Sequence, residues 1–281
     1  MADDIRPAPE YALGYSERER QRLVSQSQFY GDLTEHLFRQ AGLTPGMQVL
    51  DIGCGAGDVS FLAARLVGPT GSVLGVDRAA SSIVTASERA RAAGLKNVAF
   101  KESELAALNF DRQFDALIGR LVLMYLPDPA AVLKQLLRFV RPGGLVVFQE
   151  MEMSIFAATS DSPLFQTCGN WLRETFQRAG FQTRMGTLLF PTFVRAGLPR
   201  PQMNLEGRVD GGPGSAAYQL LAETARSLLP MMERLGVATA AEVQIDTLAA
   251  RLEAEVCAGG GVIVTPPLIG AWARKPGGED S

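Results

Sequence analysis

The chain has 281 residues, 47% hydrophobic and 20% charged, with a formal net charge of -3; that suffices for one large core with a cap, and its scattered arginines present no basic face, which excludes nucleic acid as an expected partner. Cys54, Cys168 and Cys257 are widely spaced and form no CxxC pair, so neither a disulfide framework nor a zinc site is expected. The opening MADDIRPAPEYALG is acidic, and no apolar run reaches the ~18 residues of a membrane helix, so the expectation is a cytoplasmic protein with no membrane and no metal.

In chain order, Leu23, Tyr30, Leu33, Leu37 and Phe38 follow helical spacing between Glu17 and Ala41, and Thr44-Pro45-Gly46 stops the run. Short β-branched stretches then alternate with helical patterns. Strands are expected at 48–52, 72–77, 98–101 and 114–119, with helices to Val67 and Ala93 between them. Asp128-Pro129 opens a helix whose stripe is Val132, Leu136, Leu137 and Val140, and Pro142-Gly143-Gly144 ends it before a strand at 145–148. This alternation predicts βαβ units around a parallel sheet, an α/β doubly wound fold.

After Glu150 the pattern changes. Helices are expected at 164–179 and 187–196, a strand at 202–209, and two further helices, the second opened by the capping box Thr239-Ala-Ala-Glu242. Residues 261–273 read as a closing strand with Pro266-Pro267 inside it, which demands an edge position or a bulge. The divisions expected are an N-terminal helical lid (1–44), a core (45–150), cap helices and a sheet-covering helix (151–200), and final strands with an inserted helical pair at 215–257 (201–281).

The stretch VLDIGCGAGD, residues 49–58, follows the first strand with three alternating glycines. In a parallel sheet that turn faces the ligand crevice, and glycines let a ligand approach the backbone. A dinucleotide fingerprint requires a small residue where this chain has Asp58 or Ser60, and aspartate at a helix N-terminus competes with a pyrophosphate for the same dipole end. The loop therefore favours a nucleoside without phosphates. Asp77 ends the second strand, where a carboxylate can accept both hydroxyls of an unmodified ribose.

VLDIGCGAGD, GVD at 75–77, FDALIGRLVLMYL at 114–126 and LRFVRPGG at 137–144 together resemble the class I S-adenosylmethionine-dependent methyltransferases. The likeness spans roughly residues 45–150 and is strongest to the small-molecule branch that includes ubiquinone, menaquinone and natural-product methyltransferases. It implies a Rossmann-like seven-stranded sheet with an antiparallel last strand plus a helical cap, and S-adenosylmethionine as cofactor.

Residue by residue, the resemblance implies that Asp51 holds the amino acid part of the cofactor and that Gly53 and Gly55 bring backbone against it. Asp77 would take the ribose hydroxyls, and Arg78 would lie beside the adenine. Counting back from Leu108-Asn109-Phe110 places Ser103, Glu104 and Leu105 at the adenine, where Ser-Glu replaces the customary Gly-Asp. Gly119 and Arg120 would lie near the methionine portion, with the Arg120 side chain also a candidate for the acceptor site.

Transfer from a sulfonium is an in-line displacement that asks mainly for alignment and exclusion of water. Where the acceptor must lose a proton, the candidate bases are His36, Tyr125, Glu150 and Tyr30. Met151, Met153, Phe156, Phe165, Trp171, Phe176, Met231 and Met232 offer an apolar lining, which predicts an uncharged or aromatic small-molecule acceptor. A homodimer is a further partnership to test. The rival readings are a nicotinamide-dependent oxidoreductase and a non-catalytic module on the same fold.

Overall fold

The computed structural model describes residues 17–156 and 161–277. The first sixteen residues of the N-terminal segment lie outside the described residues, as does the side chain of Leu23. The helix α1 (Glu17–Ala41) leads into β1 (Gln48–Ile52), α2 (Asp58–Val67), β2 (Ser72–Asp77), α3 (Ala80–Ala92), β3 (Val98–Glu102) and β4 (Phe114–Arg120). Then come α4 (Pro129–Leu136), β5 (Val140–Met151), α5 (Pro163–Arg178), α6 (Met185–Arg195), β6 (Gln202–Glu206) and β7 (Val209–Asp210). The chain closes with α7 (Ala216–Arg234), α8 (Ala240–Val243), α9 (Leu248–Ala258), β8 (Ile263–Val264) and β9 (Leu268–Arg274).

The seven-stranded sheet runs in the order β3-β2-β1-β4-β5-β9-β6. β1 to β5 are mutually parallel, and β9 is antiparallel to both of its neighbours. The order reverses between β1 and β4, which is where a doubly wound sheet opens its ligand crevice. Strand alternation divides the core between the two faces. Val49, Val73, Ala116, Ile118 and Val147 pack with Leu37, Phe38, Leu62 and Ala63 of α1 and α2. Leu50, Ile52, Val76, Leu117 and Phe148 pack on the other face with Leu133 of α4 and Leu189 and Phe193 of α6, and that cluster continues through α5, α7 and α9.

Four expectations are corrected. The helix opened by Asp128 ends at Leu136 and finishes in a tight turn over Leu137–Phe139; Pro142-Gly143-Gly144 lies inside β5. The ladder there jumps from Phe114↔Val140 to Ala116↔Leu145, so a proline without an N–H and flexible glycines form a bulge. The strand expected at 202–209 splits into β6 and β7, which belong to different sheets. The capping box at Thr239 forms, with Thr239 and Glu242 bonding each other's backbone, but α8 ends at Val243 because Gln244 adopts φ 47. Pro266-Pro267 divides the last stretch into β8 and β9, and β9 is an inner strand, so the prolines precede it.

Candidate functional site

A cavity of about 470 Å³ opens at the carboxyl ends of β1, β2 and β4. Its first wall is the turn from Gly53 to Asp58. Gly53 has φ +62, and a Cβ there would stand 2.4 Å from Val122 Cγ2, so only glycine fits. Gly55 lines the cavity at φ +51 with nothing within 4 Å of where its Cβ would project, an open cradle for a ligand against bare backbone.

Asp77 faces this cradle. Its Oδ2 accepts from the Gly55 N–H at 2.9 Å and its Oδ1 from the Ala79 N–H at 2.9 Å. An ionised carboxylate has roughly four acceptor sites, so each oxygen keeps capacity for one hydroxyl of a vicinal diol. Arg78, Ser103, Glu104 and Leu105 continue the wall from the next two strand ends. The site residues thus fit a nucleoside by both shape and donor set.

Asp58 is the first residue of α2, at the end of the same turn, and is held bidentately by Arg89 of α3, at 2.6 and 3.1 Å; Arg89 also donates to the Ala56 carbonyl at 2.6 Å and stacks over Phe61. A neutralised carboxylate therefore stands where a dinucleotide would place its pyrophosphate. This clamp was invisible in the sequence because Arg89 reads as an ordinary basic residue near a helix end.

Three residues spaced by four on α1, Arg22, Gln26 and Tyr30, reach the cavity from above. That spacing was the available signal for Arg22 and Gln26. Tyr30 is buried, its hydroxyl 3.4 Å from the Pro266 carbonyl, and burial pushes it up to about 12, so at neutral pH it is a donor. Arg120 also lines the cavity, donating to Thr34 Oγ1 at 3.0 Å and Ser27 Oγ at 3.4 Å of α1. Burial lowers its pKa, and the fields of Asp58 and Asp51 oppose that.

Beyond Arg120 the lining turns apolar, with Tyr125, Met151, Met153, Leu172, Phe176 and Leu221 around Thr224. Of the other side chains expected there, Phe156, Phe165 and Met232 are buried core, and Trp171 and Met231 pack against that core.

Four expected site residues lie off the cavity wall. Asp51 points to the α2 face, 1% exposed, accepting from Ser60 Oγ at 2.5 Å, and burial pushes it up to about 7. Gly119 lies within β4, where a Cβ would meet Phe148 at 2.6 Å, so it serves sheet packing. His36 is 60% exposed and bonds Glu206 of β6. Glu150 is fully buried, its Oε1 accepting from the N–H groups of Val122 at 2.9 Å and Leu123 at 2.7 Å, behind the wall. Among the described residues no cluster of His, Cys, Asp and Glu is arranged to hold a metal ion, and no helix is long and apolar enough to cross a membrane.

Residues 43–180 match the family model described as a methyltransferase domain. Curated relatives include an arsenite methyltransferase of Aquipseudomonas alcaligenes, 37% identical over 117 residues that cover 39% of this chain and 34% of the relative. A demethylmenaquinone methyltransferase of Lactococcus lactis is 34% identical over 110 residues, covering 39% and 44%. A 2-phytyl-1,4-naphtoquinone methyltransferase of Synechococcus elongatus is 38% identical over 109 residues, covering 38% and 47%. The chain thus spans between a third and a half of the length of these relatives. Among solved structures, an S-adenosylmethionine-dependent methyltransferase from Aquifex aeolicus shares the fold at TM-score 0.52 and 21% identity, covering 70% of this chain and 93% of that one. The [4+2]-cyclase SpnF shares it at TM-score 0.53 and 20% identity, covering 88% and 81%. The glycine cradle and the Asp77 wall both lie within residues 43–180, the segment that matches the methyltransferase domain model and that the curated methyltransferases resemble.

Proposed function

We propose that the protein transfers a methyl group from S-adenosylmethionine to an uncharged, apolar or aromatic small molecule. The observation that carries this reading is the continuity of one cavity from the polar cradle of Gly55, Asp77 and Glu104 into a pocket of methionine, leucine and phenylalanine side chains. When bound, the cofactor would supply an activated methyl on sulfur for a displacement in which an acceptor atom that carries hydrogen also gives up its proton to solvent.

Each part of the wall has a task in this reading. Asp77 accepts the two ribose hydroxyls, and Ser103, Glu104 and Leu105 face the adenine. Arg120 directs its guanidinium at the methionine carboxylate, a charge-assisted pairing. Asp51, beneath the turn, accepts from Ser60 of α2 and backs the cradle without lining it. Tyr30 and Tyr125 hold the acceptor by its polar atom, and the apolar side chains keep water from the reacting pair.

Two relatives are named for quinones and one for arsenite. A soft metalloid calls for thiolate ligands. Cys54 alone of the cysteines reaches the cavity, and burial pushes its thiol well above the ordinary range; Cys168 is buried within α5 and Cys257 lies on α9. This supports an organic acceptor over arsenite.

Calorimetric titration with S-adenosylhomocysteine and with NAD tests the cofactor half: the first is expected to bind and the second not, and preference for NAD overturns the reading. Incubation with methyl-labelled S-adenosylmethionine and hydroxynaphthoquinones, flavonoids or arsenite tests the acceptor half. Label in an organic product is the expected outcome.

A further inference from the structure

Glu150 is a candidate base that does not line the cavity, yet its carboxyl oxygen receives the N–H groups of a turn that does. We propose that Glu150 is a positioning residue whose carboxyl oxygen fixes the turn of residues 121–125 as the wall between the cofactor cradle and the acceptor pocket. This rests on the proposed function only in its choice of probe.

The turn begins in an unfavourable conformation. Leu121 has φ 55, and among the described residues only Gln244 joins it as a non-glycine in the left-handed region. Two consecutive residues of β5 hold it there. The Leu121 N–H donates to the Gln149 carbonyl at 2.9 Å, and the next two N–H groups, of Val122 and Leu123, converge on Glu150 Oε1. The tight helical turn Leu123–Tyr125 then bonds internally, Tyr125 N–H to the Val122 carbonyl at 3.2 Å.

This arrangement aims side chains. Leu121, Val122, Met124 and Tyr125 line the cavity, while Leu123 is fully buried behind it. Val122 is the side chain that leaves no space for a Cβ at Gly53. The Glu150 acceptor thus links β5 to the cradle through one turn. Removing it strands the buried Leu123 N–H and the part-buried Val122 N–H and loosens the turn that keeps Leu121 in the left-handed region, and Val122 would retreat from Gly53. The function of the side chain is acceptance at Oε1; its Oε2 is buried with no hydrogen-bond partner among the described residues. A glutamine supplies the same acceptor at the same reach, whereas an aspartate is shorter by about 1.5 Å.

Three variants, Glu150→Gln, Glu150→Asp and Glu150→Leu, separate positioning from mere support. Titration with S-adenosylhomocysteine should give affinity within twofold of the parent for Glu150→Gln, and at least tenfold weaker for Glu150→Asp and Glu150→Leu. Adenosine, which the proposed function assigns to the Asp77 side of the cavity, should bind all three within twofold. Amide exchange of residues 122–123 in the free protein should be parent-like in Glu150→Gln and at least tenfold faster in the other two. If Glu150→Leu does not fold, Glu150→Asp decides. Parent-like S-adenosylhomocysteine binding by Glu150→Asp, equal loss of adenosine and S-adenosylhomocysteine, or failure of Glu150→Gln to restore either readout would overturn the proposal. If the parent binds neither nucleoside, the functional reading fails and the amide exchange alone decides this one.

Discussion

The two halves of the cavity are built by different means. The cradle consists of three loops whose strands end level with one another: Ile52 pairs with Val76, and Asp77 with Glu102. Its contacts are backbone N–H groups and short polar side chains placed by sheet register. The acceptor half is walled by Leu172 and Phe176 of α5 and Leu221 and Thr224 of α7, some fifty positions apart in the chain, brought together by packing of the two helices. On the proposed function, cofactor placement would be tied to the backbone, which tolerates little change, and acceptor placement to side chains that can be exchanged for others of similar volume. Cofactor affinity and acceptor range should respond to different mutations.

The largest effect is expected at Gly53. Alanine there incurs left-handed strain of about 1–2 kcal/mol and a clash with Val122 of ~1–3 kcal/mol, so S-adenosylhomocysteine affinity should fall at least about 100-fold. Calorimetric binding near the parent value would show that the turn does not carry the cofactor. Asp77→Ala follows. It removes the diol acceptor and releases the Gly55 N–H, with an expected loss of about 10- to 100-fold from hydrogen bonds of ~1–3 kcal/mol. Unchanged affinity would place the ribose elsewhere.

These two residues were legible in the sequence because their signals are local: a glycine spacing immediately after a strand and an acid at the tip of the next one. Glu150 was misread for a reason that is not local. Taken as following the strand, it should face the crevice; but β5 begins earlier through its bulge and continues to Met151, and β9 closes over it with Ile269 opposite Glu150. Strand parity and a partner 119 positions away decided its direction. Asp51 shows the same effect, since alternation in β1 turns it to α2 and Ser60. The acceptor wall had apolar residues in quantity but no pattern that separates Phe176, which lines it, from Phe165, which does not.

The two buried acids give the comparison a pH dependence. Asp51 stands behind the cradle and Glu150 behind the acceptor-side turn, and burial pushes them from 3.8 and 4.5 up to about 7. Because each binds its proton more tightly when folded, the stability they contribute is complete below the unfolded values and is lost as pH rises through about 7. The loss is about 4 kcal/mol for Asp51 and about 3 kcal/mol for Glu150 by linkage. Urea unfolding from pH 4 to 8 should show stability falling in the parent and falling less in Asp51→Asn and Glu150→Gln. An identical slope in all three would mean that the two acids are ionised in the folded protein at neutral pH.

In the acceptor half, Met151→Phe exchanges one partly buried apolar side chain for another, and the expected stability change is below about 1.5 kcal/mol. S-adenosylhomocysteine affinity should stay within twofold while the rank order of accepted aromatic substrates changes. A parallel loss of cofactor binding would dissolve the distinction between the halves.

The smallest effect should come from His36, which touches neither half. Its ring is 60% exposed and pairs with Glu206 on the edge strand β6. When it is replaced by alanine, Glu206 Oε1 still accepts from Asn204 Nδ2 at 2.9 Å, and that amide also donates to Gln40 of α1. With the His36 side open to solvent, a pair of this kind contributes about 1 kcal/mol. His36→Ala should therefore keep cofactor affinity and turnover within twofold at every pH. A tenfold loss would have a specific meaning: α1 carries Arg22, Gln26 and Tyr30 into the cavity, so an anchor at its far end would be setting the position of that wall.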